Sequence, residues 1–359
     1  MCAMELERAL EKDGAEILEI IEQSPAKGAI SLLYTRRPNP VTSFLTESKR
    51  SVVRVIRDDE GRIVYQGAVV VRDYHLRGRE TPIGYVTGVR KRKESKGSLN
   101  WIHLAADSIP SYGAEGFLFS FLADNPAAER MITGALSRFC KPVLICDYTT
   151  FLLSPKALMG RGSRGRKGVS FRQMEEKDFS AVHRFLSEEG RRHDFFPVIK
   201  DLFSDCPGLG AEDCLLMLDD EGIAGFCALW HQEHYKQIIV KEYGAPYHYL
   251  RHLSFLPKLF RYIPFPEEGR VLSFPQLSLF LLRKDREDLR DELLGMAARK
   301  AYANKETMIV MGAPSDSALA RESLQRVRNI SFSSRLYYMS IRETGEITIQ
   351  DPRPECAFL

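Results

Sequence analysis

The densest chemistry in the chain lies in one stretch, Ile83-Gly84-Tyr85-Val86-Thr87-Gly88-Val89-Arg90-Lys91-Arg92-Lys93-Glu94-Ser95-Lys96-Gly97-Ser98-Leu99-Asn100-Trp101. Its first residues have the β-branched and aromatic composition of a strand. The strand runs into a basic loop containing glycine and serine, and the loop into a helical pattern. Successive backbone N–H groups in such a loop, with those at the helix start, can receive phosphate oxygens. The cations between Arg90 and Lys96 suit a pyrophosphate. A solvated turn is the plainer account, because cations are common in exposed loops; Gly97 and the helical continuation favour the phosphate. Arg90, Lys91, Ser95, Lys96, Gly97 and Ser98 are the expected contacts. Tyr85 and Thr87, on the strand, face either a reacting group or the core, and alternation alone leaves both open.

Other reactive residue types form no comparable constellation. There is no Gly-x-Ser-x-Gly elbow. The seven cysteines show no CxxC spacing, which fits free thiols in a reducing compartment and argues against zinc and disulfide scaffolds. His231, His234, His248 and His252 cluster in sequence, and the last two are four apart, but without an HExxH-type carboxylate no metal is expected. The C-terminal Cys356-Ala357-Phe358-Leu359 fits a prenylation pattern in form only, since no polybasic run precedes it.

Composition narrows the class. Lys plus Arg (51) barely exceeds Asp plus Glu (48), giving a net charge of +3, which argues against a dedicated nucleic-acid binder. An acidic N-terminus without an apolar leader, and the absence of a long uncharged apolar run, lead us to expect a cytoplasmic protein that does not enter membranes.

The elements that must position the loop recur. Runs 51–57 and 63–71 flank Asp58-Asp59-Glu60-Gly61, a hairpin turn; 214–218 and 223–230 flank Asp219-Asp220-Glu221-Gly222, with Gly67 and Gly225 soon after each turn. Amphipathic helices are expected within 4–23, strands at 83–89, 117–122 and 142–148, and helices at 101–108 and 126–139. After 171–174 and a helix opening at Glu175, the second half continues with strands at 271–282, 307–311 and 331–341 around a helix at 288–302. Residues 160–168 hold four glycines and four cations and read as a solvated basic linker. The expected domains are 1–158 and 169–359, joined by 159–168. A period of about 160 residues points to duplication, since solenoid repeats span ~20–50 residues. Only the second half carries an insertion, 231–270, rich in tyrosine, phenylalanine and cations. A helical cover packed on its own domain is the plain expectation; a wall of an acceptor pocket, or a base-stacking surface, is the functional one.

These features together resemble the GNAT superfamily of acyl-CoA-dependent N-acyltransferases. In that family the fourth strand pairs its edge with pantetheine, and a [Gln/Arg]-x-x-Gly-x-[Gly/Ala] loop wraps the pyrophosphate. Glu94-Ser95-Lys96-Gly97-Ser98-Leu99 falls in register with that loop, with Gly97 at its central glycine but Glu94 and Leu99 departing from it. Asn125-Pro126-Ala127-Ala128 resembles the Asn-x-x-Ala element beside the cofactor. The resemblance thus adds Val89 and Asn125 to the cofactor contacts. It puts Ile132 where many members carry a tyrosine acid, so the catalytic residues stay unassigned.

The resemblance implies a mixed α/β (α+β) chain of two tandem GNAT-like domains, each a mainly antiparallel sheet flanked by helices. The first would bind acetyl-CoA or another acyl-CoA. In the second, Arg283-Lys284-Asp285-Arg286-Glu287-Asp288 lacks glycine and alternates acid with base, so no CoA is expected there. The implied activity is acyl transfer, acetyl in the first instance, to a small-molecule amine or a peptide amino group. The alternatives are a catalytically silent GNAT-like binding protein and an aminoacyl-tRNA-dependent peptidyltransferase, the one reading in which nucleic acid would be a partner.

Overall fold

The structure, a computed structural model, describes residues 5–23, 25–26, 30–95, 112–123, 125–137, 141–162, 166–245, 247–250, 266–342 and 347–359. The first half opens with β1 (Glu7–Arg8) and a helix, Gly14–Glu22, that turns Ile17, Ile20 and Ile21 inward. Next come β2 (Ile30–Thr35) and the helix Pro40–Glu47. Asn39 caps that helix, its Oδ1 accepting the Val41 N–H at 2.9 Å, and Pro40 takes the first position, where no N–H is needed. Neither element is expected from the sequence, in which Phe44 and Leu45 stand out only as a short apolar segment.

β3 (Val52–Arg57) and β4 (Ile63–Leu76) form the first Asp-Asp-Glu-Gly hairpin. Asp58 Oδ1 accepts the N–H groups of Glu60 and Arg62 at 3.1 and 2.9 Å, and Gly61 has φ +80°. β4 returns as β5 (Arg79–Lys91) through Arg77 and Gly78, both at positive φ (51° and 72°), as a tight hairpin requires. Both strands outrun the expected 63–71 and 83–89. Arg72 and Asp73 look like turn residues, yet their charges are matched within the strand. Arg72 donates to the main-chain oxygens of Glu47 and Asp205, and Asp73 pairs with Arg50 at 2.8 Å and Lys200 at 2.9 Å. β6 (Gly116–Leu122), the helix Pro126–Leu136 and β7 (Val143–Leu153) complete this half.

The second half repeats the plan. β8 (Ser170–Gln173) and the helix Phe179–Gly190 precede β9 (Cys214–Asp219) and β10 (Gly222–Trp230), joined by the second copy of the turn. β11 (Gln237–Tyr243), β12 (Gln276–Leu282), the helix Arg290–Ala303, β13 (Ile309–Pro314) and β14 (Asn329–Ser340) follow. β12 starts at Gln276, so 271–275 is not strand.

The two copies share one sheet of 12 strands in the order β1-β3-β4-β5-β6-β14-β7-β13-β12-β10-β9-β8. Their last strands are exchanged. β14 lies between β6 and β7, while β7 pairs with β13 of the second half over Ile309↔Leu153 to Pro314↔Tyr148. Neither half closes its own sheet, which ties their stabilities together.

Two expectations for connecting segments are corrected. The insertion is not simply a helical cover on its own domain. Its β11 pairs with β2 of the first half, from Gln237↔Thr35 to Tyr243↔Ile30 with a bulge between Val240 and Glu242, and Ile239, Val240 and Tyr243 are buried along it while the strand edge finds a partner. Its 251–265 portion lies outside the described residues. The described part of the basic linker, expected to be solvated, keeps exposed residues at Gly160 and 166–168 but is also held by ion pairs. Arg161 Nη2 reaches Asp291 Oδ2 at 2.6 Å and the Glu322 main-chain oxygen at 2.8 Å, and Arg166 meets Asp288 at 2.6 Å. Cations there answer the acidic first turn of the helix Arg290–Ala303.

Candidate functional site

The site begins where two strands part. β5 and β6 pair in parallel over Ile83↔Gly116, Gly84↔Phe117 and Tyr85↔Leu118, and among the described residues the ladder ends there. A bulge in β5 turns the strand at this point. Thr87 faces Ala68 and Arg90 faces Gln66, leaving Gly88 and Val89 opposite Gly67 alone. Gly88 adopts φ +64°, which suits glycine, and a Cβ on Gly67 would lie 3.3 Å from Val89 Cγ2. The glycine that follows each hairpin turn has a steric cause in both copies, since a Cβ on Gly225 would lie 2.9 Å from Leu282 Cδ2.

The parting opens into a cavity of about 820 Å³ that crosses the sheet. On the face carrying the helix Pro126–Leu136 its wall is aromatic: Phe117, Phe119 and Phe121, with Phe119 stacked on Tyr337 at 5.9 Å. On the other face the insertion and β2 supply polar walls, among them Arg36, Gln232, Glu233, Lys236 and Gln276.

Of the expected cofactor contacts, Val89, Arg90, Lys91 and Asn125 line this one cavity. Ser95 is not part of its wall; its N–H donates to the Arg92 carbonyl at 3.2 Å. Lys96, Gly97 and Ser98, with Leu99 and the helix expected at 101–108, lie outside the described residues, as does the Ile132 side chain. Arg92 is spoken for, bonding Glu16 at 2.9 Å, Glu19 at 3.2 Å and the Ile63 carbonyl at 2.8 Å. Arg90 differs: among the described residues it meets no carboxylate, donating only to the Val89 carbonyl at 2.9 Å, and burial lowers its pKa. A desolvated cation without a counter-charge favours an anion beside it.

Tyr85, left open by alternation, faces the cavity. Its hydroxyl lies 2.9 Å from Ser120 Oγ across the parting, and burial pushes its pKa up, so it stays a neutral phenol.

Three groups were not expected from the sequence. His231 bridges Glu233 (Nδ1, 3.1 Å) and Glu306 (Nε2, 3.3 Å), and these hydrogen bonds raise it to about 10. Burial alone would raise Glu233, but the hydrogen bonds from His231, a backbone N–H and Ser273, with the His231 charge, together outweigh it and hold the carboxyl down to about 2. Glu47, buried with Arg36 at 2.6 Å and Lys236 at 3.6 Å, is likewise held at about 2 against its burial. The third is the C-terminal segment: Phe358 packs on Trp230 at 5.2 Å, Cys356 and Leu359 reach the cavity, and burial lifts the Cys356 thiol to about 11. These partners are far apart in sequence, and no local pattern marks them. His234 packs on Tyr235 at 4.7 Å, His248 is exposed, and His252 lies outside the described residues.

The second half has the same strand break but a different occupant. β12 bulges opposite Cys227, with Leu279 at φ +50°, and pairs with β13 at Gln276↔Val310. Glu355 Oε2 accepts the Leu279 N–H at 3.1 Å, and Arg353 Nη2 donates to the Phe280 carbonyl at 2.8 Å. The acid-base turn after β12 is tied to the β9–β10 hairpin, Arg283 and Arg286 both reaching Asp219.

No helix among the described residues is long and apolar enough to cross a membrane. No family model matches the sequence, and no curated protein does. Solved structures do match in fold. A GCN5-related N-acetyltransferase from Sphaerobacter thermophilus is 12% identical, with 97% of this chain and 98% of that chain covered and a TM-score of 0.57. A tandem GNAT protein from the clavulanic acid biosynthesis pathway is 10% identical, with 96% and 100% covered and a TM-score of 0.54. Saccharomyces cerevisiae N-myristoyltransferase with bound myristoyl-CoA is 10% identical, with 99% and 88% covered and a TM-score of 0.59.

Proposed function

From the premise that this chain has the GNAT superfamily fold, twice over and fused through one sheet, we propose that it is an acyl-CoA-dependent N-acyltransferase whose donor enters between β5 and β6. The observation that carries the reading is the parting beyond Tyr85↔Leu118, opening into the cavity beside the uncompensated Arg90. A likeness in fold to a protein solved with bound myristoyl-CoA supports a donor of this class. Arg90 and Lys91 would face its phosphates, and Val89 and Asn125 would flank its arm.

In the reaction an amine nitrogen bonds to the thioester carbonyl carbon, the carbon–sulfur bond breaks, and the amine's proton ends on the thiol that leaves. Of the groups at the cavity, Tyr85 suits proton delivery to the departing sulfur, because it is neutral and stands at the parting with Ser120 behind it. Glu233 is too weak a base at about 2, yet a permanent carboxylate suits it to hold a cationic amine, which gives up its extra proton to solvent before it attacks. Cys356 is unsuited as a nucleophile, since its thiol stays protonated. The acceptor is then a small-molecule or peptide amine, with acetyl-CoA the simplest donor. The second half serves as a wall, its own break filled by Glu355.

Calorimetric titration with free CoA tests the reading. Binding is expected, weakened roughly tenfold or more by Arg90→Gln, which removes one charge-assisted contact. No binding of CoA by the folded wild-type chain would sink it.

A further inference from the structure

The face of the cavity opposite the helix Pro126–Leu136 extends far past the place an acetyl group would need. From the Tyr85–Ser120 contact its floor crosses β6, β14, β7 and β13 in order. Three inter-strand steps of ~4.8 Å carry it ~14 Å, several times the length of an acetyl group. The floor is apolar along that path: Phe332 on β14, Leu152 on β7, Val310 on β13 and Met308 beside it. Phe332 stays 39% exposed.

The hydroxyls of the floor over β14 and β7 are already engaged, and the Gln276 amide on β12, whose Oε1 is buried without a partner among the described residues, marks its polar far end. Ser334 Oγ donates to the Tyr148 carbonyl at 3.5 Å, and Thr150 Oγ1 lies 3.9 Å from Cys356 Sγ. A peptide laid across this floor would leave N–H and C=O groups without partners, which is unfavourable, whereas a hydrocarbon chain has none to satisfy. The polar side chains Gln232 and Glu233 come from the insertion, on the wall rather than the floor, where an acceptor amine would approach.

Resting on the acyl-CoA reading above, we infer that the donor carries a long fatty acyl chain, laid over β14, β7 and β13 of the shared sheet. The second half thereby contributes to donor selection although its own strand break is closed.

The test is the affinity of the full chain for CoA, acetyl-CoA, octanoyl-CoA and dodecanoyl-CoA, measured by calorimetry below their micelle-forming concentrations. Each methylene that enters the floor should tighten binding about fourfold, so dodecanoyl-CoA should bind at least roughly 100-fold tighter than acetyl-CoA. Leu152→Trp, which fills the floor midway, should cut that ratio by about tenfold or more. Phe332→Asp, at a partly exposed position where folding is safer, should do the same by placing a charge under the chain. Equal affinities for acetyl- and dodecanoyl-CoA, with CoA itself bound, would overturn the chain-length inference and leave the donor reading standing. An undiminished ratio in both variants would also overturn it, by placing the chain elsewhere. Failure of CoA and all three thioesters to bind would overturn the donor reading and this inference together.

Discussion

Glu355 Oε2 accepts the backbone N–H of Leu279 at 3.1 Å, and so fills in the second half the position that stays open beside Gly88 in the first. Leu279 at φ +50° and Gly88 at φ +64° occupy matching bulges in β12 and β5. One bulge meets the chain's own carboxyl, while the other faces the cavity.

Burial raises the Glu355 carboxyl to about 7, against the pull of Arg353 and two backbone N–H groups. A carboxyl raised by folding keeps its proton in the folded state while the unfolded chain ionises. Its stabilising share is therefore complete below the ordinary carboxylate range and falls as pH climbs toward 7. Glu355→Gln keeps an acceptor for Leu279 but cannot ionise. Urea unfolding at pH 5 and pH 8 should show the variant gaining on the wild type by roughly 3 kcal/mol at most. A pH-independent difference would show that Glu355 titrates normally.

Tyr85→Phe keeps the ring and removes only the hydroxyl beside Ser120. If this phenol delivers the proton, kcat should fall by roughly 10²–10³ while CoA affinity holds. Steady-state rates and calorimetry on the same preparation separate the two effects; unchanged kcat would remove Tyr85 from the chemistry.

His231 sits between Glu233 and Glu306 and is raised to about 10 by those bonds. Its ring resonances, assigned through His231→Gln, should keep their protonated position at pH 8, where an ordinary imidazole has titrated. For a raised histidine the stabilising effect is present below its unfolded value and is lost as pH rises toward 10. Titration of the ring near pH 6.5 would mean that the two carboxylates do not hold it.

Gly162 adopts φ +71°, and a Cβ there would lie 2.6 Å from the Asp291 main-chain oxygen and 2.6 Å from Glu292 Cα. Backbone atoms cannot turn aside as a flexible side chain would. Gly162→Ala should therefore destabilise the chain by roughly 2–4 kcal/mol in urea unfolding, although an exposed linker would tolerate it. A loss within about 0.5 kcal/mol would mean that the linker is not docked.

Local pattern accounts for much of the fold. Both Asp-Asp-Glu-Gly hairpins form where the turn composition and flanking β-branched runs place them, because those residues satisfy the turn by themselves: Asp58 and Asp219 each accept N–H groups within their own turn. Helices with an inward apolar stripe, such as Phe179–Gly190, are legible for the same reason. β2, β11 and the ends of β4 and β5 escape detection, because their polar residues are matched by partners distant in sequence, as Asp73 is by Lys200.

Sequence alone determined that the chain repeats one α/β plan and that a strand, Val89 to Lys91, ends in cations, since turn chemistry, periodicity and charge act over a few residues. Only the tertiary structure decided which strands lie side by side, that β7 and β14 are exchanged, and that Glu355 closes one break while the other opens beneath Tyr85. Those outcomes rest on backbone edges and buried charges finding partners 100 residues or more away, as Ser334 does with Tyr148 at a separation of 186, and no local pattern encodes such a pairing.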